Sequence, residues 1–218
     1  MESVRLLDQL SADDRRVLLS KMTRRSFRKH DTLFHEGDPG DTLHIIVKGH
    51  VAIRCSTPAG DVATLTVLGS GASFGEQALL SADAVRTASA VALEVVETRA
   101  LHRNEFDVLR RTNPSVERFL TEALAAQVRR LSKQLVEALF VPADARVVRR
   151  VVLLADLYAD GDGPVNVPLR QDDIASMAGT ARPTANRVLK QLENDGLISL
   201  TRGCLEVLDL VALRRRAR

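Results

Sequence analysis

Near residue 104 the hydrophobic pattern of this 218-residue chain changes period, so no single layer of secondary structure accommodates both sides of the change. From about 32 to 101 the chain reads as short β-like runs punctuated by glycine: "DTLFHEGDPGDTLHIIVKGHVAIRC", "TLTVLGSGASFG" and "TASAVALEVVET". Short runs closed by turn residues predict a compact antiparallel sandwich or roll. From about 104 to 140 the period is helical, with Pro114 early and then "SVERFLTEALAAQVRRLSKQLVEALF". Leu124, Val128, Leu131, Leu135 and Ala138 step by four and three, the narrow seam of a coiled coil rather than the broad face of a buried helix. Such a helix either packs its stripe on the chain's own β domain or seeks a second copy; Arg129, Arg130 and Lys133 are expected to keep the rest of it wet.

Before the β region, "LLDQLSADDRRVLLSKM" predicts short helical segments through about residue 30, with Ser11 as the helix start and Asp13 and Asp14 in the first turn. After the long helix, "FVPADARV" interrupts at Pro142 and offers Asp144 to the next helix, which marks 141–144 as a hinge. "ARVVRRVVLLADLYA" then reads as a helix and "DGDGPVNVPL" as a turn into a short strand. "RQDDIASMAGTARPTANRVLKQLENDG" holds two helices joined through Ala178-Gly179-Thr180, and "LISLTRGCLEVLDL" is a hairpin with its tip at 201–203. Two helices at a tight glycine turn followed by a hairpin make a winged helix-turn-helix.

Composition narrows the function classes. With 45% hydrophobic residues the chain can bury a sizeable core, while 31 Lys and Arg against 28 Asp and Glu leave only +3, too little for a whole-molecule field to hold a polyanion. Nucleic-acid binding therefore rests on local placement. Two distant cysteines, Cys55 and Cys204, give neither a disulfide framework nor a four-thiolate cluster, so no metal and no iron-sulfur cluster is expected. The five histidines, His30, His35, His44, His50 and His102, show no ligand spacing and read as surface residues of the β domain. The acidic start lacks a secretory pattern and no apolar run is long enough to span a bilayer, which predicts a cytoplasmic protein without membrane contact.

Local placement does single out one helix. Over about 181–194, Ala185, Val188, Leu189 and Leu192 share a stripe, and Arg182, Asn186, Arg187 and Lys190 fall opposite, with Pro183 tolerated in the first turn. A charged face is commonly just solvated. Here the preceding turn and following hairpin favour DNA, since arginine donates to both guanine acceptors and asparagine pairs with adenine. Thr184 joins this face, and Arg170, Gln171 and the wing-tip Arg202 are expected on phosphates.

The second constellation is "FGEQALLSADAVRTAS", residues 74–89. A helix start after Gly75 exposes amides suited to an anion, and Arg86 arriving from the next strand can neutralise a phosphate. Glu76 then needs a neutral donor such as a ribose hydroxyl. The plain alternative is a Glu76–Arg86 ion pair bracing the β domain.

Taken together, "DTLFHEGDPGDTLHIIVKGHVAI", "FGE" and the following Arg-Thr-Ala resemble the cyclic-nucleotide-binding domain, and with the long helix and winged helix nearly the whole chain resembles the Crp-Fnr superfamily of bacterial transcription regulators. The resemblance implies an α+β fold: a cyclic-nucleotide-binding β-roll (jelly roll) at 1–111, a dimerisation helix at 112–140, the hinge at 141–144 and a winged helix-turn-helix DNA-binding domain at 145–218. It implies a ligand site in which Glu76 holds the ribose, Arg86 and Thr87 the cyclic phosphate, with Gly75, Gln77 and Ala88 beside them. The family's adenine-reading Thr-Ser pair, its Ser contributed across the dimer, falls at Leu131 and Ser132, so the first hydroxyl is absent. Losing one hydrogen bond costs about 0.5–1.5 kcal/mol, which keeps cyclic AMP (cAMP) the leading ligand; another cyclic nucleotide, or no ligand, is the alternative. The resemblance further implies a homodimer on a palindromic double-stranded DNA operator, with RNA polymerase as a further partner. Arg182 and Arg187 match two base-reading arginines, while Pro183 replaces the glutamate between them and removes an acceptor for cytosine. A nucleotide-binding module acting on a protein partner is the reading from another class. No nucleophile–base pair accompanies the cassette, so no enzyme is expected.

Overall fold

The computed structural model describes residues 10–57, 59–81, 83–161 and 163–217. The chain divides into two compact units, one of residues 2–62 with 66–131 and the other of residues 132–218 with 63–65.

In the first unit α1 (Ala12–Ser20) opens as expected on Ser11, whose hydroxyl accepts the Asp14 N–H at 3.1 Å. The expected helical residues 6–9 lie outside the described residues. Beyond Lys21 the expectation of helix to about residue 30 fails: Thr23–Phe27 is strand β1, paired antiparallel with β8 (Val96–His102) from Thr23↔Ala100 to Phe27↔Val96. Four of the five β1 residues are exposed, so β1 carries no alternation to announce it.

The remaining strands are β2 (Thr32–Phe34), β3 (Thr42–Lys48), β4 (Val51–Ser56), β5 (Val62–Leu68), β6 (Ser73–Phe74) and β7 (Ser89–Ala92). They form two four-stranded sheets, ordered β1-β8-β3-β6 and β2-β7-β4-β5, the antiparallel roll that the glycine-punctuated runs predict. Gly49 turns β3 into β4 at φ +85°, and an added Cβ there would sit 2.5 Å from the Val95 carbonyl oxygen. Ile46, Val51, Phe74, Ala90, Ala92 and Val96 fill the space inside the roll.

Helix α2 (Arg103–Thr112) follows directly, and α3 (Pro114–Phe140) is the long helix. Val116, Phe119, Leu120 and Ala123 of α3 are buried with Leu18, Leu43, Leu101 and Phe106, which fixes its first half on the roll. Val128, Leu131, Leu135 and Phe140 are exposed, Leu131 by 53% and Phe140 by 77%. The seam thus has no cover within the described chain.

The second unit takes in the last turns of α3, then α4 (Ala143–Tyr158), β9 (Val165–Val167), α5 (Gln171–Met177), α6 (Arg182–Asn194), β10 (Ile198–Thr201), β11 (Cys204–Val207) and α7 (Leu210–Arg216). The three strands pair in the order β10-β11-β9, and the hairpin tip at Arg202-Gly203 is where the sequence places it. The segment expected as a hinge, 141–144, is two residues plus the first turn of α4, and Arg146 spans it. Its guanidinium donates to the carbonyls of Ala138 (2.8 Å) and Val141 (3.3 Å) before it, and to those of Ala178 (2.8 Å) and Gly179 (2.9 Å) in the helix-turn-helix turn. Buried Glu137 pairs with Arg150 at 2.5 Å and Arg149 at 3.3 Å. These contacts are why the end of α3 clusters with the second unit.

Candidate nucleotide and nucleic-acid sites

The nucleotide site begins with a glycine. Gly75 has φ +77°, a left-handed turn, and an added Cβ there would lie 2.6 Å from Arg86 Nη1, so only glycine admits the guanidinium. The residues after it make a single 3-10 turn, Glu76–Leu79, rather than the longer run read from "EQALLS". Arg86 sits after the following loop, anchored where its N–H meets the Asp38 carbonyl at 2.8 Å.

Both charges are taken out of water: Glu76 is 5% exposed and Arg86 7%. Arg86 Nη1 donates to the Gly75 carbonyl at 3.3 Å and the guanidinium lies 4.0 Å over the Phe34 ring. Its Nε is buried with no hydrogen-bond partner among the described residues. Burial lowers the Arg86 pKa, offset by Asp41, then Asp38, then Glu76, so the ion pair with Glu76 that would brace the domain is the weakest of its acidic neighbours. Burial likewise raises the Glu76 carboxyl above the ordinary range, offset by its own backbone N–H and then by Arg130 and Arg86. A buried donor without an acceptor beside a buried carboxylate suits a ligand that brings an anion and a hydroxyl together.

These groups line one pocket, of about 70 Å³, together with Gln77, Thr87, Ala88, Ile53 and Leu68. Gln127 and Arg130 of α3 line it too, and the sequence reading missed both, having placed Arg130 in solvent. The signal lies in the buried line Leu120 and Ala123, which continues at helical spacing into Gln127 and Arg130. Leu131, expected at the base, is exposed and outside the pocket lining, and Ser132, expected to reach a second copy's pocket, is exposed as well. One residue of helix, about 100° of rotation, explains it: Leu131 follows the outer seam, not the line of Ala123 and Arg130.

A second cavity, of about 440 Å³, lies on the other side of Arg86, between Asp41, Thr42, His44 and His102. His44 departs from the expected surface position. It is buried, stacked on Phe74 at 5.2 Å with Nδ1 3.2 Å from the Thr98 hydroxyl, and burial pushes its pKa down to about 4. Among the described residues no group of three or more His, Cys, Asp or Glu is placed to hold a metal ion, and both cysteines are free thiols.

In the second unit, α6 buries Ala185, Val188, Leu189 and Leu192 against its neighbours. Its other face carries Arg182, Arg187 and Lys190, all exposed and each paired with an acid: Arg182 Nε to Asp172 at 2.9 Å, Arg187 Nη2 to Asp144 at 2.6 Å, Lys190 to Glu193 at 2.7 Å. Thr184 and Asn186 are half-buried, and Asn186 Oδ1 has no hydrogen-bond partner among the described residues. Arg170 caps α5, its N–H donating to Asp173 at 3.2 Å, with half-buried Gln171 next and Arg202 exposed at the hairpin tip.

Comparison with known proteins assigns both units. Residues 24–113 match the cyclic nucleotide-binding domain and residues 145–216 the Crp-like helix-turn-helix domain. The cyclic AMP receptor protein of Thermus thermophilus is 33% identical over 217 residues, covering 100% of this chain and 98% of that protein. The chain belongs to the Crp-Fnr family. The CRP-like cAMP-activated global transcriptional regulator of Mycobacterium tuberculosis is 31% identical over 195 residues, 88% of this chain and 87% of its own length. A solved transcriptional regulator of the CRP/FNR family from Thermus thermophilus superposes with a TM-score of 0.75 at 24% identity, over 89% of this chain and 98% of the other. This Crp-Fnr member is thus a DNA-binding transcription regulator with a cyclic nucleotide-binding domain. None of its described helices is long and apolar enough to cross a membrane.

Proposed function

We propose that this regulator acts as a cytoplasmic homodimer on a palindromic operator and is controlled by one cyclic nucleotide per β-roll. The observation that carries the ligand reading is Arg86: buried, wedged against Gly75, and holding a donor that nothing in the described chain accepts. Arg86 and Thr87 take the cyclic phosphate and Glu76 accepts from the ribose hydroxyl, the only arrangement in which neighbouring acid and base both gain. Phosphate and ribose contacts are blind to the base. By relationship alone cAMP comes first, since relatives at 33% and 31% identity carry its name, while the base itself is decided by the pocket's remaining wall.

The exposed seam of Val128, Leu131 and Leu135 supports the dimer: an apolar helix stripe is costly in water and matches itself by two-fold symmetry. Arg182, Arg187 and Lys190 then supply base and phosphate contacts in two half-sites about one helical turn apart, with Arg170, Gln171 and Arg202 on the backbone. Because α3 both walls the pocket and runs on into Glu137, a ligand that contacts α3 differently in two arrangements can bias DNA binding. RNA polymerase is the expected partner once DNA is bound.

Fluorescence titration of labelled operator DNA with and without cAMP or cGMP tests the reading. The nucleotide is expected to shift DNA affinity in the wild type and to have no effect in Arg86→Ala. A mutant that responds as the wild type does would sink the assignment of the site.

A further inference from the structure

Resting on the reading of this pocket as a cyclic-nucleotide site, we infer that Gln127 and Arg130 read the base, and that the edge they present takes guanine in preference to adenine. With phosphate on Arg86 and ribose on Glu76, the base occupies what is left of the pocket. Its apolar walls there are Ile53 and Leu68, and the polar groups brought from outside residues 73–88 are Gln127 and Arg130. Ser132 of this chain lies outside the lining, as a residue expected to serve a second copy's pocket does.

The chemistry of the two side chains is fixed by their contact with each other. Arg130 Nη2 donates to Gln127 Oε1 at 2.9 Å. A guanidinium has no acceptor, so the amide must turn its oxygen to Arg130 and its NH2 away. One lone pair of the glutamine oxygen is thereby taken by Arg130, and what remains for a ligand is mostly donors: the amide NH2 of Gln127 and the free N–H groups of Arg130, against one remaining lone pair on the glutamine oxygen. Glu76, the acid whose field acts on Arg130, is committed to the ribose.

A purine shows its outer edge as N7 and the substituent on C6. In guanine both are acceptors, N7 and O6; in adenine N7 accepts but the C6 amino group donates. A wall dominated by donors meets guanine with two complementary pairs and adenine with one, leaving the adenine amino group facing the Arg130 donors. Arginine to guanine is the strongest of the side-chain pairings with bases, and one such pair discriminates by roughly tenfold or more. The wall therefore differs from a hydroxyl pair not only in position but in sign, since a hydroxyl both donates and accepts.

Calorimetric titration of the full chain with cGMP and with cAMP tests this on four proteins: wild type, Arg130→Met, Gln127→Glu and Arg86→Ala. The wild type is expected to bind cGMP about tenfold or more tighter than cAMP. Arg130→Met should bring the two affinities together, mainly by weakening cGMP. Gln127→Glu adds an acceptor facing the base and should move the preference toward cAMP, an outcome a merely structural role for the helix would not produce. Tighter or equal binding of cAMP by the wild type overturns the inference, as does a ratio that neither substitution changes. If the wild type binds neither nucleotide, or Arg86→Ala binds both as well as the wild type does, the cyclic-nucleotide reading falls with it. If Arg86→Ala abolishes binding while the ratio ignores residues 127 and 130, the base inference alone falls.

Discussion

The pocket and the α6 face both depend on arginine, yet they hold it in opposite ways. Arg86 is buried, lacks an acceptor for one donor and faces no acid at ion-pair distance among its recorded contacts; Arg182 and Arg187 are exposed and each sits against a carboxylate. Burying an uncompensated donor costs stability, while exposed pairs are worth only about 0–1 kcal/mol. The first arrangement leaves a demand that, on the proposed reading, a specific anion satisfies. The second keeps long side chains in place cheaply and lets them exchange one set of oxygens for those of DNA.

That contrast is broken most directly at Arg86. Arg86→Ala is expected to weaken nucleotide binding by roughly 100-fold or more, since truncating one member of a desolvated charged contact costs about 2–5 kcal/mol. Its folding stability should stay within about 1 kcal/mol of the wild type, because removing a buried unpaired charge offsets the lost contact with Phe34. Parallel calorimetry and urea melts read both. A large loss of stability would show that Arg86 braces the roll rather than waiting for a ligand.

Behind Arg86, His44 should make the roll acid-labile. Its pKa of about 4 in the folded chain, against 6.5 unfolded, reflects burial first and then Arg86 and Arg25, with Asp41 opposing. A depressed histidine is fully compatible with folding above pH 6.5 and costs stability as pH falls toward 4, by about 3 kcal/mol in all. His44→Phe, which keeps an aromatic ring against Phe74, should flatten the fall in urea midpoint between pH 7 and 4.5. An unchanged slope would place the acid lability elsewhere.

On α6 the expected effects are smaller and reversed in kind. Arg187→Ala should leave the melting curve within about 1 kcal/mol and cost about 1–3 kcal/mol on a specific operator, with relaxed preference at one base pair. Operator titration against a scrambled duplex measures it. Equal losses on both duplexes would assign Arg187 to phosphate.

Much of this was legible in the sequence because it rests on local pattern. The strand runs, the stripe of α6, the hairpin tip and the meeting of Glu76 and Arg86 in one pocket follow from residue type and spacing. Three features were not legible, each because a tertiary contact decides it. Thr23–Phe27 is a strand only because β8 supplies its partner, and His44 is buried only because three aromatic rings enclose it. Arg130 turns inward because the face of α3 that begins with Phe119 and Ala123 continues under it. A charge adjoining a coiled-coil seam reads as solvated; which side of the seam it lies on decides whether it is.

The mildest test concerns how the pocket's acid responds to pH. Burial raises the Glu76 pKa, with its own N–H, Arg130 and Arg86 pulling the other way, so in the empty pocket its proton is held more tightly than in water. A ribose hydroxyl donates best to the ionised carboxylate, whereas the protonated acid competes as a donor. Binding therefore requires release of that proton once the pH is below the raised pKa, while the cyclic phosphodiester stays ionised throughout. Nucleotide affinity should be flat above that pKa and fall on acidification through it by at most about tenfold per pH unit, one proton being linked. Glu76→Gln is expected to bind more weakly near neutrality, by roughly tenfold, and to lose this acid limb, because an amide oxygen accepts the hydroxyl but does not titrate. Titrations carried downward from pH 7.5, with the urea midpoint followed at each pH because His44 weakens the roll below 6.5, compare the two proteins. The same acid limb in Glu76→Gln would move the linked proton to another group and leave Glu76 without its place on the ribose.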